Sequence, residues 1–100
     1  MRLAKVRGTV VSTVKDDSLM GIKLLLIQLI SDSGDLQDDC EVAVDMVGAG
    51  IGEWVLVSRG SAARQQQRHI QKPVDAAIVA IIDTVSLDTG LLYDKREDFR

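Results

Sequence analysis

A glycine-rich segment in the middle of the chain constrains the fold more than any other feature. Residues 45–64 read DMVGAGIGEWVLVSRGSAAR, with Gly48, Gly50 and Gly52 at every second position, directly before an apolar run from Trp54 to Val57. Glycine is favoured where φ must be positive or where another stretch of backbone passes closely, and each glycine costs conformational entropy on folding. Since a flexible linker would not lead so abruptly into a strand, we expect a tight turn between two strands.

The glycine spacing does not fit a nucleotide site. The letters GAGIGE lack the order G-x-G-x-x-G, no G-K-S or G-K-T follows them, and the next element has the pattern of a strand rather than a helix. The segment therefore predicts a structural turn rather than a phosphate cradle.

Composition limits the class of protein. The 100 residues, 46% of them apolar, suffice for one domain over residues 1–100 with a single core. Lys and Arg total 12 against 15 acidic residues, a net charge of −3, so we expect no general attraction to nucleic acid or to an anionic membrane. The three aromatic residues, Trp54, Tyr93 and Phe99, also leave little for stacking bases.

The chain lacks the sequence marks of a membrane or secreted protein. Its apolar runs, such as Leu24 to Ile27, are far shorter than the roughly 20 residues of a membrane span. The N-terminus alternates charged and small apolar residues instead of forming a hydrophobic signal region. Cys40 is the only cysteine, so no internal disulfide can form. These features predict a cytoplasmic protein.

Five segments have the pattern of β-strands. The first alternates small apolar and polar residues, and Gly8 in its middle indicates a bend or bulge. The expected strands are Arg2 to Thr13, Ile22 to Ile30, Glu41 to Val44, Trp54 to Ser58 and Ala77 to Val85. Ser61 to Arg68 could carry one short helical turn, and we expect the tail from Leu91 to Arg100 to fray or to dock on a neighbour. Five strands joined by short turns predict a small barrel.

Two of these strands, Ile22 to Ile30 and Ala77 to Val85, are apolar on both faces. A closed barrel needs apolar residues only at its inward positions, so something else must cover the second face. Burial stabilises each large apolar side chain by about 1.5 to 3 kcal/mol, and monomers avoid exposing several of them together. We therefore expect an obligate oligomer.

Motifs along nearly the whole chain resemble the EutN/CcmL family, the pentameric vertex proteins of bacterial microcompartments. They are MRLAKVRGTVVST at the N-terminus, Asp45 with VGAG at 47–50, EWVLV at 53–57, GSAAR at 60–64, PVDAA at 73–77 and the triplet Ile81-Ile82-Asp83. The context of Trp54 and the letters LYDKR at 92–96 are most similar to the CcmL branch, from the carboxysomes of cyanobacteria.

The resemblance implies an all-β, five-stranded OB-like barrel with one short helix, assembling as a homopentamer around a narrow axial pore. Such pentamers cap the vertices of an icosahedral shell built mostly of hexameric proteins. In a carboxysome, the shell encloses the carbon-fixing enzymes and limits CO2 leakage. The expected partners are further copies of the chain and hexameric shell proteins, with scaffold proteins as additional candidates. A vertex protein of another microcompartment, or a small OB-like module that binds a ligand or nucleic acid, are the alternatives.

The resemblance also assigns contacts with neighbouring hexamers to two motifs. These are Gly60, Ser61, Ala62, Ala63 and Arg64, and then Ile81, Ile82 and Asp83. Small side chains permit close approach of two backbones, and the Arg64 guanidinium can donate to a carboxylate or carbonyl at the seam. Without the resemblance, the residues favour another interpretation, in which Gly60 ends a strand, Ser61 caps a helical turn and Arg64 is solvated.

Two interpretations apply to the glycine turn, formed by Asp45, Gly48, Ala49, Gly50 and Gly52. In a pentamer, five copies could gather backbone N–H groups near the pore and favour anions such as bicarbonate or phosphorylated sugars. In the other interpretation, which we favour, the residues form a tight inter-strand turn and Asp45 accepts hydrogen bonds from its own backbone.

Candidates for catalysis and for metal binding are weak. His69 is the only histidine, and together with Cys40 it offers at most two ligands, short of the usual four for zinc. Ser61, His69 and Asp75 supply the residue types of a catalytic triad, but no nucleophile elbow accompanies them. We therefore expect a structural protein that is not an enzyme and that needs no metal or cofactor.

Overall fold

A closed barrel and an additional hairpin make up the fold. The computed structural model describes residues 1–13, 15, 17–60 and 75–98. The strands in this part of the chain are β1 Arg2–Val10, β2 Leu24–Ile30, β3 Leu36–Asp45, β4 Trp54–Arg59, β5 Ala76–Ile81, β6 Thr84–Leu87 and β7 Gly90–Asp94. A short 3-10 helix, Asp17–Leu19, precedes β2, and a four-residue helix, α1, Lys95–Asp98, follows β7.

The first five strands close into a barrel in the order β1-β2-β3-β5-β4, with β4 pairing back onto β1. All neighbouring pairs are antiparallel except β3 and β5, which run parallel. The five-stranded OB-like barrel predicted from the sequence is therefore confirmed. Closure depends on a short β3–β5 pairing, which joins Val44 to Ala77 and Asp45 to Ile78.

Alternation along the strands places the core. Ala4 and Val6 of β1 point inward, and so do Leu25 and Ile27 of β2 and Val55 of β4, all essentially inaccessible to solvent. Gly8 pairs with Leu26, whereas Val6 pairs with Ile27, so one extra residue is inserted in β1 between them. This irregularity is the β-bulge that Gly8 led us to expect, and it bends β1 at the end of the barrel.

The third strand is longer than the sequence predicted. It begins at Leu36, which pairs with Ile30, rather than at Glu41. Its first half is acidic and exposed. Because the prediction relied on alternating apolar residues, it did not detect this part of the strand. Pairing with β2 supplies the missing stabilisation, including a 2.6 Å hydrogen bond from Gln28 Nε2 to the carbonyl oxygen of Gln37.

The prediction of a single strand from Ala77 to Val85 is wrong. The strand β5 ends at Ile81, and the chain leaves the barrel before β6 begins at Thr84. The tail that we expected to fray or to dock on a neighbour forms β7 and α1, and β7 pairs with β6 in a hairpin. A 2.8 Å hydrogen bond from the backbone N–H of Lys95 to the carbonyl oxygen of Asp83 closes the base of this hairpin. The helical turn expected within Ser61 to Arg68 lies outside the described residues.

The hairpin packs on the outside of the barrel through a second apolar cluster. Trp54 and Tyr93 stack with ring centroids 4.2 Å apart and planes inclined by 10°. Ile30 is buried with them, and further apolar residues pack around this group: Leu3, Ile82, Val85 and Leu92. Since Ile82 and Val85 belong to the segment expected to need cover from a neighbour, part of that apolar face is covered within the chain.

Candidate functional site

The glycine turn forms a cap over one end of the barrel. It joins β3 to β4, and its backbone forms two hydrogen bonds with β1. The N–H of Gly52 donates to the carbonyl oxygen of Val6 at 2.8 Å, and the N–H of Val6 donates to the carbonyl oxygen of Glu53 at 3.0 Å. The Ala49 side chain is 1% exposed and belongs to the barrel core. The turn is thus part of the folded core.

Asp45 holds the cap from the end of β3. Its Oδ1 accepts hydrogen bonds from the N–H groups of Val47, Gly48 and Ala49, at 3.1, 3.0 and 3.2 Å. Its Oδ2 accepts a second bond from the Ala49 N–H at 2.9 Å. The Asp45 side chain is 0% exposed, so a buried carboxylate is satisfied by the backbone that follows it.

Lys23 completes the charge balance of the cap. Its Nζ lies 3.2 Å from Asp45 Oδ2 and donates to the carbonyl oxygen of Ala49 at 3.1 Å. Burial alone raises the pKa of Asp45, but the hydrogen bonds from Ala49 and Val47, from Lys23 and from Gly48 together outweigh it and lower that pKa. The carboxylate is therefore held in its charged form.

A second carboxylate, Glu53, links the cap to the hairpin. Its Oε2 pairs with Lys95 Nζ of α1 at 2.5 Å, and its Oε1 accepts a hydrogen bond from the N–H of Gly50 at 2.5 Å. The Lys95 bond is the main cause of a lowered pKa at Glu53, and the Gly50 bond adds to it. The same pair raises the pKa of Lys95. The cap, barrel and hairpin are therefore tied together at one point.

The three glycines of the cap have different roles. Gly48 and Gly52 have φ values of 78° and 90°, which residues with a side chain rarely adopt. Gly50 does not share this conformation; a Cβ there would instead lie 3.3 Å from Glu53 Oε1. Positive φ therefore explains two of the glycines, whereas close approach of a side chain explains the third.

This hydrogen bonding bears on anion binding at the turn. The N–H groups of Val47, Gly48 and Ala49 are already bonded to Asp45, and that of Gly50 is bonded to Glu53. An anion would have to displace two carboxylates to use these donors. The geometry therefore favours a structural turn, and the position of the turn relative to a pore stays a prediction.

The two motifs expected at shell contacts lie at opposite ends of the β4–β5 pair. Gly60 follows β4, with φ of 63° and its N–H donating to the Asp75 carbonyl oxygen at 2.9 Å. Ser61, Ala62, Ala63 and Arg64 lie outside the described residues. Ile81 pairs with Val55 near the start of β4, about 17 Å from Gly60 at ~3.3 Å per strand residue. The two motifs therefore do not form one cluster.

The second motif mixes structural and exposed residues. Ile81 packs half-buried against the barrel core, and Ile82 packs in the outer cluster, where its N–H donates to the Trp54 carbonyl oxygen at 2.8 Å. The Asp83 side chain is exposed. Of the three residues, Asp83 is therefore the one that this chain alone presents most fully to a partner.

The remaining candidate residues do not assemble into a catalytic or metal site in the described part of the chain. Cys40 is exposed on β3, Asp75 is exposed before β5, and His69 and Ser61 lie outside the described residues. Among the residues that are described, no group of three or more potential metal ligands comes together. The roles of Lys23, Glu53 and Lys95 were missed from sequence, although a glutamate three residues after Gly50 is a local signal for capping a turn.

Comparison with known proteins decides the family. The family model described as "Ethanolamine utilisation protein EutN/carboxysome" matches residues 1–83. The chain belongs to the EutN/CcmL family. The carboxysome shell vertex protein CcmL of Nostoc sp. is 59% identical over 101 residues, covering 100% of both chains. The vertex protein EutN of Escherichia coli is 40% identical over 95 residues, covering 95% of this chain and 100% of that protein.

Solved structures of EutN/CcmL proteins share the fold. CcmL of Gloeobacter violaceus superposes with a TM-score of 0.90 at 54% identity, covering 96% of this chain and 99% of that one. The pentameric microcompartment shell protein GrpN of Rhodospirillum rubrum gives 0.79 at 48% identity, covering 87% and 99%. The first is a carboxysome shell vertex protein and the second a microcompartment shell protein. Within the described residues of this chain, no helix has the length and apolar character needed to cross a membrane.

Proposed function

We propose that this EutN/CcmL chain is a structural vertex protein of the carboxysome shell, closing the shell around carbon-fixing enzymes and limiting CO2 leakage. The observation that carries the proposal is the 59% identity, over the full length of both chains, to a carboxysome shell vertex protein. The 40% identity to EutN makes a vertex protein of an ethanolamine compartment the weaker alternative.

The chain acts in this proposal as a homopentamer. Two observations support a pentamer. The chain shares its fold with GrpN, a pentameric shell protein, and the single chain leaves apolar side chains exposed. The exposed apolar residues include Val11, Met20, Val42, Met46, Val47, Ile51, Leu87 and Leu91. Burial in a ring of subunits would remove such surface from water, which is the usual driving force for permanent association.

Hexameric shell proteins are the proposed outer partners, with scaffold proteins as additional candidates. Gly60 and the triplet from Ile81 to Asp83 lie at opposite ends of β4 and β5, so together with residues 61–64 they would define a long seam rather than a point contact. Arg64 would donate a two-pronged hydrogen bond across this seam, and Asp83 would accept one.

The mass of the native assembly is the first test. We expect about 54.5 kDa by native mass spectrometry, five times the 10.9 kDa chain. A stable monomer would overturn the vertex role and favour a small OB-like ligand-binding or nucleic-acid-binding module. Binding of single-stranded oligonucleotides that weakens with salt would then support that alternative.

Arg64→Glu tests the contact with hexamers. The variant should remain pentameric, because the proposed role of Arg64 lies outside the ring, but it should fail to enter shells when coexpressed with hexameric carboxysome shell proteins. Arg68→Glu makes the same change of charge outside the motif and should be incorporated normally. If closed shells contain the Arg64→Glu variant at the wild-type level, Arg64 does not contribute to the contact with hexamers. Incorporation of the wild type only into ethanolamine-type shells would support the alternative compartment.

A further inference from the structure

The barrel wall is thinly paired where β3 meets β5. Among the described residues, these two strands share only two residue pairs, of which Val44 with Ala77 comes first along both strands. Upstream of that pair, β3 extends back to Leu36, whereas β5 begins at Ala76. The described part of the chain therefore places no paired strand of β5 beside the first half of β3, and this side of the barrel needs another connection.

An ion pair between Glu41 and Arg59 supplies that connection. Glu41 pairs with the inward-facing Ile27 of β2, and Arg59 pairs with the buried Ala76 of β5, so both side chains stand on the inner face of the barrel. Arg59 Nη2 donates to Glu41 Oε1. The Arg59 side chain is 36% exposed and that of Glu41 is 25% exposed, so water screens the pair only in part. The first half of β3 is thus linked to the last residue of β4.

The guanidinium of Arg59 depends on this bond. Its Nε is inaccessible to solvent and has no hydrogen-bond partner among the described residues. A buried donor without an acceptor lowers stability, and truncating Glu41 would remove the acceptor that the described residues do provide. In the absence of Glu41, we expect the Arg59 side chain to turn toward water and the end of β4 to lose its link to β3.

The place of Arg59 in the chain gives the ion pair a further consequence. Gly60 follows Arg59 directly and begins the motif proposed to contact hexamers. Gly60 has a φ of 63°, so the backbone changes direction there, and its N–H donates to the Asp75 carbonyl oxygen at 2.9 Å. Two contacts therefore hold the point at which the chain leaves β4: Arg59 with Glu41, and Gly60 with Asp75.

We propose that Glu41 is a positioning residue for the shell contact. Through Arg59, it fixes the point and the direction at which Gly60 leaves β4, and so orients the motif that meets a hexamer. Glu41 itself needs no contact with the hexamer. The inference rests on the proposed function, and it gives a role to an inward-facing acid that packing of an apolar core does not require. Repetition of the contact around a pentamer would amplify a small loss of orientation in each subunit.

Coexpression of Glu41→Ala with hexameric carboxysome shell proteins tests the positioning role. The variant should remain pentameric by native mass spectrometry, while its amount per hexamer in purified shells should fall about fivefold or more. Asp39→Ala removes an exposed acid from the same half of β3 and should enter shells at the wild-type level. Glu41→Arg combined with Arg59→Glu exchanges the two charges and should recover most of the incorporation that each single change loses.

Hydrogen exchange of backbone amides measures whether the effect passes through Gly60. In Glu41→Ala, the Gly60 amide should exchange about fivefold faster or more, because its bond to Asp75 lies beside an end of β4 that is no longer anchored. The amide of the buried Val57 should keep its rate. Arg64→Glu changes the proposed contact itself, so it should lose incorporation without faster exchange at Gly60.

The outcomes separate this inference from the proposed function. If Glu41→Ala enters shells as well as the wild type, the positioning role is overturned and the vertex role stands. Poor incorporation of Glu41→Ala with unchanged exchange at Gly60 also overturns it, since the effect then does not pass through the end of β4. Dissociation of the Glu41→Ala pentamer into monomers would assign Glu41 to the ring instead. Failure of the wild type to enter shells overturns the proposed function and the inference with it.

Discussion

At the scale of single residues, the cap over the barrel end depends on Asp45 and Glu53, two carboxylates that accept hydrogen bonds from the glycine-rich turn. Each also pairs with a lysine from a different element, Lys23 before β2 and Lys95 in α1. A satisfied buried carboxylate restricts the backbone around it, whereas an unsatisfied one would cost more than its bonds contribute. The cap is therefore specific as well as stable.

Asp45→Asn should destabilise the protein by about 1 to 3 kcal/mol at pH 7, since the amide cannot reproduce all the bonds of the carboxylate. The folded pKa of Asp45 lies below its unfolded value of about 3.9, so its stabilisation is present above that value and is lost as pH falls through the folded pKa. The difference between wild type and variant should therefore shrink in acid. Urea unfolding from pH 7 to pH 2 measures it.

The exposed Asp32, for which the structure records no side-chain hydrogen bond among the described residues, provides the control. Asp32→Asn should stay within about 0.5 kcal/mol of wild type at pH 7. If Asp45→Asn proves as mild as Asp32→Asn, the hydrogen bonds of Asp45 do not stabilise the cap.

The glycines of the cap should differ in their tolerance of alanine. Gly52→Ala should cost about 1 to 2 kcal/mol, because φ there is 90°. Gly50→Ala should cost less, because its backbone is ordinary and its Cβ would meet only the flexible end of Glu53 at 3.3 Å. Denaturant unfolding of both variants measures which substitution lowers the free energy of unfolding more. A larger loss at Gly50 than at Gly52 would mean that the contact with Glu53, rather than positive φ, limits this turn.

At the scale of secondary-structure elements, the β6–β7 hairpin is the main addition to the barrel. A hairpin of two strands is marginal on its own in water, so it needs the apolar cluster beneath it. Tyr93 contributes to that cluster by stacking on Trp54, with Val85 and Leu92 beside it. The hairpin therefore forms as a consequence of packing on a completed barrel.

Tyr93→Ala tests this dependence, with Trp54 as the reporter since it is the only tryptophan. The substitution should cost about 3 to 5 kcal/mol, the usual loss for removing a buried aromatic ring, and should shift Trp54 emission to longer wavelength as water reaches the indole. Thr84→Ala, at an exposed site on the same hairpin, should leave the emission unchanged. Unchanged emission in Tyr93→Ala would show that the barrel shields Trp54 without the hairpin.

At the scale of the whole molecule, the described part of the chain leaves ten large apolar side chains exposed to solvent, among them Val11, Ile51 and Leu91. Covering them between subunits links folding to assembly. The melting temperature should therefore rise by several degrees over a hundredfold increase in protein concentration. Differential scanning calorimetry measures this. A melting temperature that does not change with concentration would indicate that the subunits fold and melt independently of the ring.

Local sequence pattern was sufficient to predict the barrel and part of the candidate site. Alternation along β1, the apolar run of β4 and the bulge at Gly8 are properties of adjacent residues, so they can be read from the sequence. The capping of the glycine turn by Asp45 is likewise local, because a carboxylate reaches the N–H groups two to four residues ahead of it.

The sequence by itself thus determined the small barrel, the alternation along β1 and the turn, because each depends on a repeat or a contact within a few residues. Only the tertiary structure decided the acidic first half of β3, the break after Ile81 and the ion pair of Glu53 with Lys95. These features depend on partners distant in sequence: β2 for the acidic strand, Trp54 for the hairpin and α1 for Glu53. Their stability comes from pairing and burial that exist only when the barrel has closed. The propensities of neighbouring residues therefore do not predict these features.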